Sequence, residues 1–349
     1  MHLALMHRYI PFVGHQVRSL LALLICASGT VNLAFAQDRL ILRGTTSGRI
    51  IITGTVTDFV GQKITVTSSG GDSSRLYDAA DLLEIQTMQV APQQRAIKAL
   101  AAGQANEAQR ELAEALKLED RPWMRREILA LMVKAFVRLA DYGSAGLRFK
   151  MLHDSDPATR HFKLVPLIWA PQQIGNTSLA DARDWIARND DLQRLLGASL
   201  LLEEPAYTES ARKVLNELCS HVDGRLRGLA QAQLWRVKLR QGPPGDKILE
   251  QWLNHLESLP EELRGGPQFL LGRAHTLRRE HDLAAAAYLW LPLVDDADQR
   301  LAARACLNAA EALGDAGRAI ESQNLLREIV ARYPDTPSAG EAEDRLRTQ

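Results

Sequence analysis

The densest group of side chains that could bind a metal ion lies in the stretch HDSDPATRH, residues 153–161. This stretch holds four possible ligands: His153, Asp154, Asp156 and His161. Imidazole nitrogens and carboxylate oxygens bind zinc or a harder cation when a loop gathers them around one point. The alternative is a solvated turn between two helices, the first of which ends at Pro157. The pattern favours the turn, so we expect no metal and no other cofactor, and keep these four residues as the only metal-site candidates.

Two pairs of adjacent carboxylates, Glu203-Glu204 and Glu261-Glu262, could serve as a general acid and base. Catalysis would require the carboxylates to face each other across a cleft, and adjacent residues at a helix end usually lie in solvent. The sequence contains no serine-hydrolase elbow, zinc-protease motif, Walker loop or dinucleotide fingerprint. We therefore predict that the protein is not an enzyme.

The charge balance and the cysteines exclude two further classes of function. Lys+Arg and Asp+Glu both total 42, so no overall basic charge suggests a nucleic-acid partner. Beyond the N-terminal segment only Cys219 and Cys306 remain. One pair of cysteines cannot form a cysteine-rich metal site, and we expect two buried, reduced thiols.

Residues 1–36 have the pattern of a secretory signal peptide. Basic residues precede the apolar run LLALLICA at 20–27, and AFA at 34–36 provides an A-x-A cleavage site. The alternative is an uncleaved anchor, but polar residues interrupt the apolar run before it reaches the roughly 20 residues that span a bilayer. We predict export to the periplasm or another compartment outside the cytoplasm, with membrane contact only through this segment before cleavage.

Residues 37–90 are the part of the chain with a two-residue hydrophobic period. GRIIITGTVTDFVGQKITVTS at 48–68 alternates apolar residues with threonines, and DFVGQ separates two β-rich runs, which predicts an antiparallel hairpin. RLILR at 39–43 and LLEIQT at 82–87 supply further strands. A small antiparallel β domain is expected, and its strand order resembles that of SH3-like or Sm-like small barrels.

From residue 91 to 349 the period becomes helical, and one pattern recurs. A small residue is followed four positions later by a large apolar residue, and twelve positions later by Pro or Asp, which end a helix or cap the next one. Ser322, Leu326 and Pro334 form one instance of this pattern. Four further instances lie upstream: Ala108, Leu112, Asp120; Ala145, Phe149, Pro157; Ala211, Leu215, Asp223; and Ala284, Tyr288, Asp296.

This pattern resembles the second helix of the tetratricopeptide repeat (TPR). The resemblance implies stacked helical hairpins that jointly bury apolar faces none could bury alone. The expected fold is mainly α: a TPR-like α-solenoid preceded by a small antiparallel β domain. LVPLIWAPQQ, with two prolines, predicts an interruption near 160–178, and residues 338–346 predict a polar capping helix. Trp123, near the start of one first helix, is expected to pack on the preceding repeat.

The resemblance also implies a site, because TPR proteins commonly bind peptides along the concave face formed by first helices. The motif places Lys134, Arg138 and Arg273 on that inner face. Basic residues there would suit an acidic peptide or a C-terminal carboxylate.

Three functions follow from these patterns. The leading hypothesis is a scaffold or adaptor outside the cytoplasm that binds protein or peptide partners in the cell envelope. The alternative is recognition of cell-wall glycan or peptide by the β domain, with the repeats as a spacer. The third is an enzyme or metalloprotein centred on residues 153–161.

Overall fold

The computed structural model describes residues 37–44, 48–68, 73–295 and 297–348. The signal peptide predicted for residues 1–36 lies outside the described residues. The described chain is mainly helical, with an antiparallel sheet before the helices, which confirms the predicted fold class at that level. Within the described ranges, no helix is both long enough and apolar enough to cross a membrane.

The elements in chain order begin with five strands: β1 Asp38–Arg43, β2 Arg49–Val60, β3 Lys63–Thr67, β4 Ser74–Asp78 and β5 Leu82–Gln86. The helices of the first half are α1 Ala91–Ala101, α2 Ala105–Leu118, α3 Pro122–Arg138, α4 Tyr142–Ser155, α5 Asn176–Ile186, α6 Asp191–Leu201 and α7 Thr208–Leu218. Those of the second half are α8 Gly224–Arg240, α9 Asp246–Ser258, α10 Gly265–Leu277, α11 His281–Val294, α12 Gln299–Asp315, α13 Ala319–Arg332 and α14 Pro337–Thr348.

The sheet has the strand order β4-β3-β2-β1-β5, and each described pairing is antiparallel. One face is apolar because alternate residues of each strand point to it. Its buried members include Leu40, Val56, Ile64 and Val66. The hairpin turn between β2 and β3 is tighter than predicted: β2 continues to Val60, and only two residues, starting at Gly61, form the turn.

The apolar face of the sheet packs on the start of α3. Trp123 and Met124 are buried in the same cluster as the strand residues, and Trp123 Nε1 donates to Val56 O at 3.0 Å. Arg126 reaches the sheet as well, where it pairs with Asp58 and donates to Phe59 O at 2.9 Å. The expectation that Trp123 packs on a preceding repeat is therefore wrong. The β-rich segment supplies the apolar surface that covers it.

Most successive helices after residue 90 pack against each other in pairs, and the repeated small and large residues lie in the second helix of such a pair. Their side chains are buried in α2, α4, α7, α11 and α13. Gly272 shows why one first helix needs a small residue: a Cβ there would lie 2.6 Å from the ring of Tyr288 on α11. The spacing predicted these buried pairs correctly because helix periodicity is a local property.

Residues 162–174, which we call the inner segment, lie among helices from both halves of the chain. After one 3₁₀ turn at Phe162–Leu164, the rest of the segment has no regular secondary structure. Its apolar side chains are buried: Leu164, Val165, Leu167, Ile168 and Trp169. It contacts α3, α4, α6, α8 and α10, so five helices pack around one stretch of chain. The predicted interruption is thus part of the core.

A buried polar network holds the backbone of the inner segment. Ile168 N donates to Ser199 Oγ at 2.8 Å, and Gln233 Nε2 donates to Ile168 O at 3.0 Å. The Arg236 guanidinium donates to Gln233 Oε1 at 2.7 Å and pairs with Glu203 at 2.9 Å. Buried backbone that lies outside helices and sheets must find hydrogen bonds elsewhere, and at Ile168 side chains provide them.

Candidate functional site

The inner face that the resemblance assigned to a peptide ligand is filled by the chain itself. Trp169 lies against α10, where a Cβ on Gly266 would be 2.0 Å from the indole. Gln172 reaches Tyr142 on α4, with 2.9 Å between the amide nitrogen and the phenol oxygen. Within the described ranges the inner segment thus occupies part of the face that the first helices form, and pockets remain beside it.

The first of these, which we call the central cavity, lies beside the inner segment and has a volume of about 70 Å³. Lys134 lines it together with a mostly apolar wall that includes Trp169 and Leu291. Burial lowers the pKa of the Lys134 amine, and the nearby charge of Lys163 lowers it further. The structure thus places the half-buried Lys134 at a partly open pocket beside the inner segment.

The second space, which we call the arginine cleft, has a volume of about 420 Å³ and lies where the C-terminal helices return to the N-terminal ones. Residues 100–107 form one side and residues 332–336 the other. Four guanidinium groups line it, from Arg110, Arg138, Arg300 and Arg332, against the two carboxylates of Glu107 and Asp335. Its size is within the usual range for ligand sites, about 300–1,000 Å³.

Arg138 ties the two sides of the arginine cleft together. Its guanidinium donates to Leu100 O, and its own carbonyl accepts a hydrogen bond from Arg300 Nη1 at 3.1 Å. Burial lowers the pKa of Arg138, while the carboxylates of Asp335 and Asp298 oppose that shift. The residue is thus placed by α1, α3 and α12 jointly.

Lys134 and Arg138 are one turn apart on α3, as predicted, but they line different spaces. The first turn of α12 lies between the two: Asp298 and Leu301 line the central cavity, whereas Arg300 lines the arginine cleft. Arg273, on α10, lines neither space. The three basic residues therefore do not form one continuous site.

The four candidate metal ligands are not brought together, and within the described ranges no group of three or more His, Cys, Asp or Glu side chains could hold a metal ion. Asp154 pairs with Lys150. Asp156 is buried and accepts hydrogen bonds from Gly61 N at 2.9 Å and Ala158 N at 3.1 Å, so it joins the sheet to the helices.

The two histidines of that stretch point to different neighbours. His161 Nε2 lies 2.7 Å from Glu127 Oε1, and His153 packs edge-on against Phe162 with ring centroids 5.9 Å apart. Burial lowers the pKa of His153, and the charge of Arg225 lowers it further. These residues stabilise the turn after α4.

Both described cysteines are free thiols. Cys306 is fully buried in α12, and burial raises its pKa to about 12, while Cys219 is half-buried. A thiol with a raised pKa is a poor nucleophile, so Cys306 serves as a small apolar core residue.

Comparison with known proteins adds no relative: no protein-family model matches the chain, and no curated protein is significantly similar to it. The arginine cleft and the central cavity are therefore interpreted from their own residues.

Proposed function

We propose that this protein is an exported scaffold or adaptor with a TPR-like solenoid, which binds a protein or peptide partner in the cell envelope without catalysing a reaction. The observation that carries the proposal is the arginine cleft. It is the space with the largest excess of positive charge among those described above, and it lies between the two ends of the helical stack. The predicted signal peptide supports a location outside the cytoplasm, and the repeat spacing supports a TPR-like scaffold.

The chemistry of the arginine cleft suits an acidic peptide or a C-terminal carboxylate. Guanidinium groups bind carboxylates through paired, charge-assisted hydrogen bonds. Arg110 is exposed and has no hydrogen-bond or ion-pair partner among the described residues. The first turn of α2 also lines the cleft, and no side chain caps its N-terminus. Uncapped amide groups at a helix N-terminus add to the attraction for a negative group.

We expect the double variant Arg110→Glu, Arg138→Glu to reduce partner capture at least about tenfold, because two charge-assisted contacts become repulsive. The measurement is a crosslinking pull-down from envelope fractions with mass spectrometry. Parallel fluorescence titrations would use peptides ending in two acidic residues, with the terminal carboxylate free or amidated. Because Arg138 also holds Leu100 O, Arg110→Glu alone should lower capture in the same direction, and far-UV circular dichroism should show unchanged helicity in both variants.

Arg273→Glu is the matched control, since it reverses a charge on another first helix, outside both spaces. It should capture the same partners as the unmodified protein. Equal capture by the double variant and the control would remove the arginine cleft as the site. If partners bind equally to all variants, the β sheet becomes the next candidate for the binding surface.

A second candidate function, recognition of cell-wall glycan or peptide by the β domain, has one observation in its favour. On the face of the sheet away from α3, Thr55, Thr67 and Ser74 are direct neighbours across three strands. The hydroxyl oxygens of Thr67 and Ser74 are 2.9 Å apart. A flat row of hydroxyl groups can exchange hydrogen bonds with sugar hydroxyls.

This second function predicts that the protein sediments with purified cell-wall sacculi and that Thr55→Glu, Thr67→Glu abolishes the effect. Two carboxylates would disrupt the hydroxyl row and repel anionic wall material. Thr177→Glu, on the exposed start of α5, is the control. If the unmodified protein stays in the supernatant, the β domain has no such role.

A further inference from the structure

Asp335 lies in the turn between α13 and α14, and its carboxylate reaches the opposite side of the arginine cleft. A Cβ added to Gly103 would be 1.6 Å from Asp335 Oδ2, so the carboxylate rests directly on the backbone between α1 and α2. Gly103 has a φ of 75°, which is strained for a residue with a side chain. Glycine therefore forms the turn and also leaves the space that the Asp335 carboxylate occupies.

The Asp335 carboxylate acts on the cleft through its charge rather than through a fixed ion pair. Burial lowers the pKa of the Arg138 guanidinium, and the charge of Asp335 opposes that shift. Arg138 donates to Leu100 O, however, and no ion pair joins it to Asp335 within the described ranges. Asp335 is exposed on its turn. Its side chain can therefore leave Gly103 without breaking an ion pair with Arg138.

The position of this carboxylate matters because a negative ligand would bind in the same part of the cleft. The lining residues carry four guanidinium groups and two carboxylates, those of Glu107 and Asp335, which leaves a net charge of +2. The backbone on which Asp335 rests leads directly into α2, whose N-terminus has no side-chain cap. A ligand carboxylate attracted by Arg138 and by the start of α2 would have to share this space with Asp335, and like charges at close range repel each other.

We propose that Asp335 is an internal competitor of the partner: in the free protein it occupies the part of the arginine cleft beside the start of α2, and an acidic partner binds by displacing it. This inference rests on the proposed function of the arginine cleft and adds its regulation. The fraction of molecules in which Asp335 has moved away sets the apparent affinity. A weakly charged ligand is excluded, whereas a partner with several negative groups outcompetes one aspartate, so Asp335 selects for strongly acidic partners.

The test is Asp335→Asn, which keeps the size of the side chain and raises the net charge of the lining residues from +2 to +3. Fluorescence titration with a labelled peptide that ends in two acidic residues should give a Kd at least about threefold lower than that of the unmodified protein. Asp344→Asn, at an exposed position of the neighbouring helix α14, makes the same change of charge outside the cleft and should leave Kd unchanged. Asp335→Glu keeps the charge and should bind within about twofold of the unmodified protein.

Salt distinguishes an effect of charge from a change of structure. The gain in affinity from Asp335→Asn should be large at low ionic strength and disappear at about 1 M salt, where the Debye length is about 3 Å. If the unmodified protein binds the peptide and Asp335→Asn has the same Kd, the arginine cleft stands as a site but Asp335 is not a competitor. If neither protein binds the peptide, the arginine cleft is not the site, and the proposed function fails together with this inference. Equal tightening by Asp344→Asn would also overturn the role of Asp335.

Discussion

Trp169→Ala is expected to lower the free energy of unfolding by about 3–5 kcal/mol, the usual cost of truncating a buried aromatic residue. Trp169 is buried in the inner segment and touches α10 on one side and the central cavity on the other. Its loss would leave a void that the surrounding helices cannot fill without moving. Urea unfolding followed by circular dichroism measures the effect.

A second substitution tests the same contact from the opposite side. Gly266→Ala places a Cβ where the indole lies, 2.0 Å from its Cε2 atom, and should cost about 1–3 kcal/mol by overpacking. In the Trp169→Ala background the indole is gone, so the same change should cost less than about 0.5 kcal/mol. This non-additivity is the signature of direct contact.

Gly340→Ala is the matched control for that cycle. Gly340 lies inside α14, and an added Cβ would have no neighbour within 4 Å. The substitution should be neutral or stabilising by up to about 1 kcal/mol, because alanine favours a helix. Additive effects of Trp169→Ala and Gly266→Ala would mean that the indole does not occupy this position, and that the first helices leave the inner face open.

The helical hairpins were predictable because their signal is local. Ala145 and Phe149 are four residues apart, so one turn of helix places both on the same face, whatever the rest of the chain does. Of the predicted capping aspartates, Asp223 precedes α8 and accepts a hydrogen bond from Arg225 N at 2.8 Å, whereas Asp120 does not cap α3 and Asp296 lies outside the described residues. Spacing patterns of this kind predict which residues are buried, but they do not predict which distant helix covers them.

The position of the inner segment was not predictable in this way. Its two prolines, Pro166 and Pro171, correctly indicated a break in the helices. Its partners lie far along the chain, however: Gln233 is 65 residues from Ile168. The available signal was the buried polar residues themselves, since Ser199 and Gln233 interrupt otherwise apolar helix faces and need hydrogen-bond partners.

For the candidate site, too, the positions of residues within one helix were predictable, whereas the contacts between distant helices were not. The repeat pattern placed Lys134 and Arg138 on one face of α3, and both line internal space. Which space each residue lines depends on α12, which packs against α3 and places Leu301 at the central cavity and Arg300 at the arginine cleft. Arg110 and Arg300 were missed for the same reason, because only the return of the C-terminal helices to α1 and α2 brings them to Arg138.

A filled inner face also changes how the proposed scaffold would bind. In an open solenoid a peptide lies along the first helices, whereas here the inner segment takes that position and contributes to the core. A partner is left with the ends and edges of the stack, of which the arginine cleft carries the greatest positive charge of the spaces described above. Binding there would join α1 and α2 to the C-terminal helices.

The second large effect is expected for Gln233→Met, which should lower the free energy of unfolding by about 3–5 kcal/mol. Methionine has nearly the same length, so packing is retained while the hydrogen bonds are lost. The carbonyl of Ile168 would lose its donor, and the Arg236 guanidinium, whose pKa burial lowers, would lose one of its acceptors. Removing one partner from a buried charged network is far more costly than replacing the whole network.

Hydrogen exchange distinguishes this local effect from general destabilisation. The Ile168 amide donates to Ser199 Oγ, which in turn donates to Gln233 Oε1 at 3.0 Å. Gln233→Met should therefore accelerate exchange in the inner segment before it affects the strands β1–β3. Gln231→Met, at an exposed position of the same helix α8, is the matched control and should leave exchange unchanged. Uniform acceleration across the whole chain would instead mean that the inner segment and the helices unfold as a single unit, so that the polar network stabilises the global fold rather than the local position of Ile168.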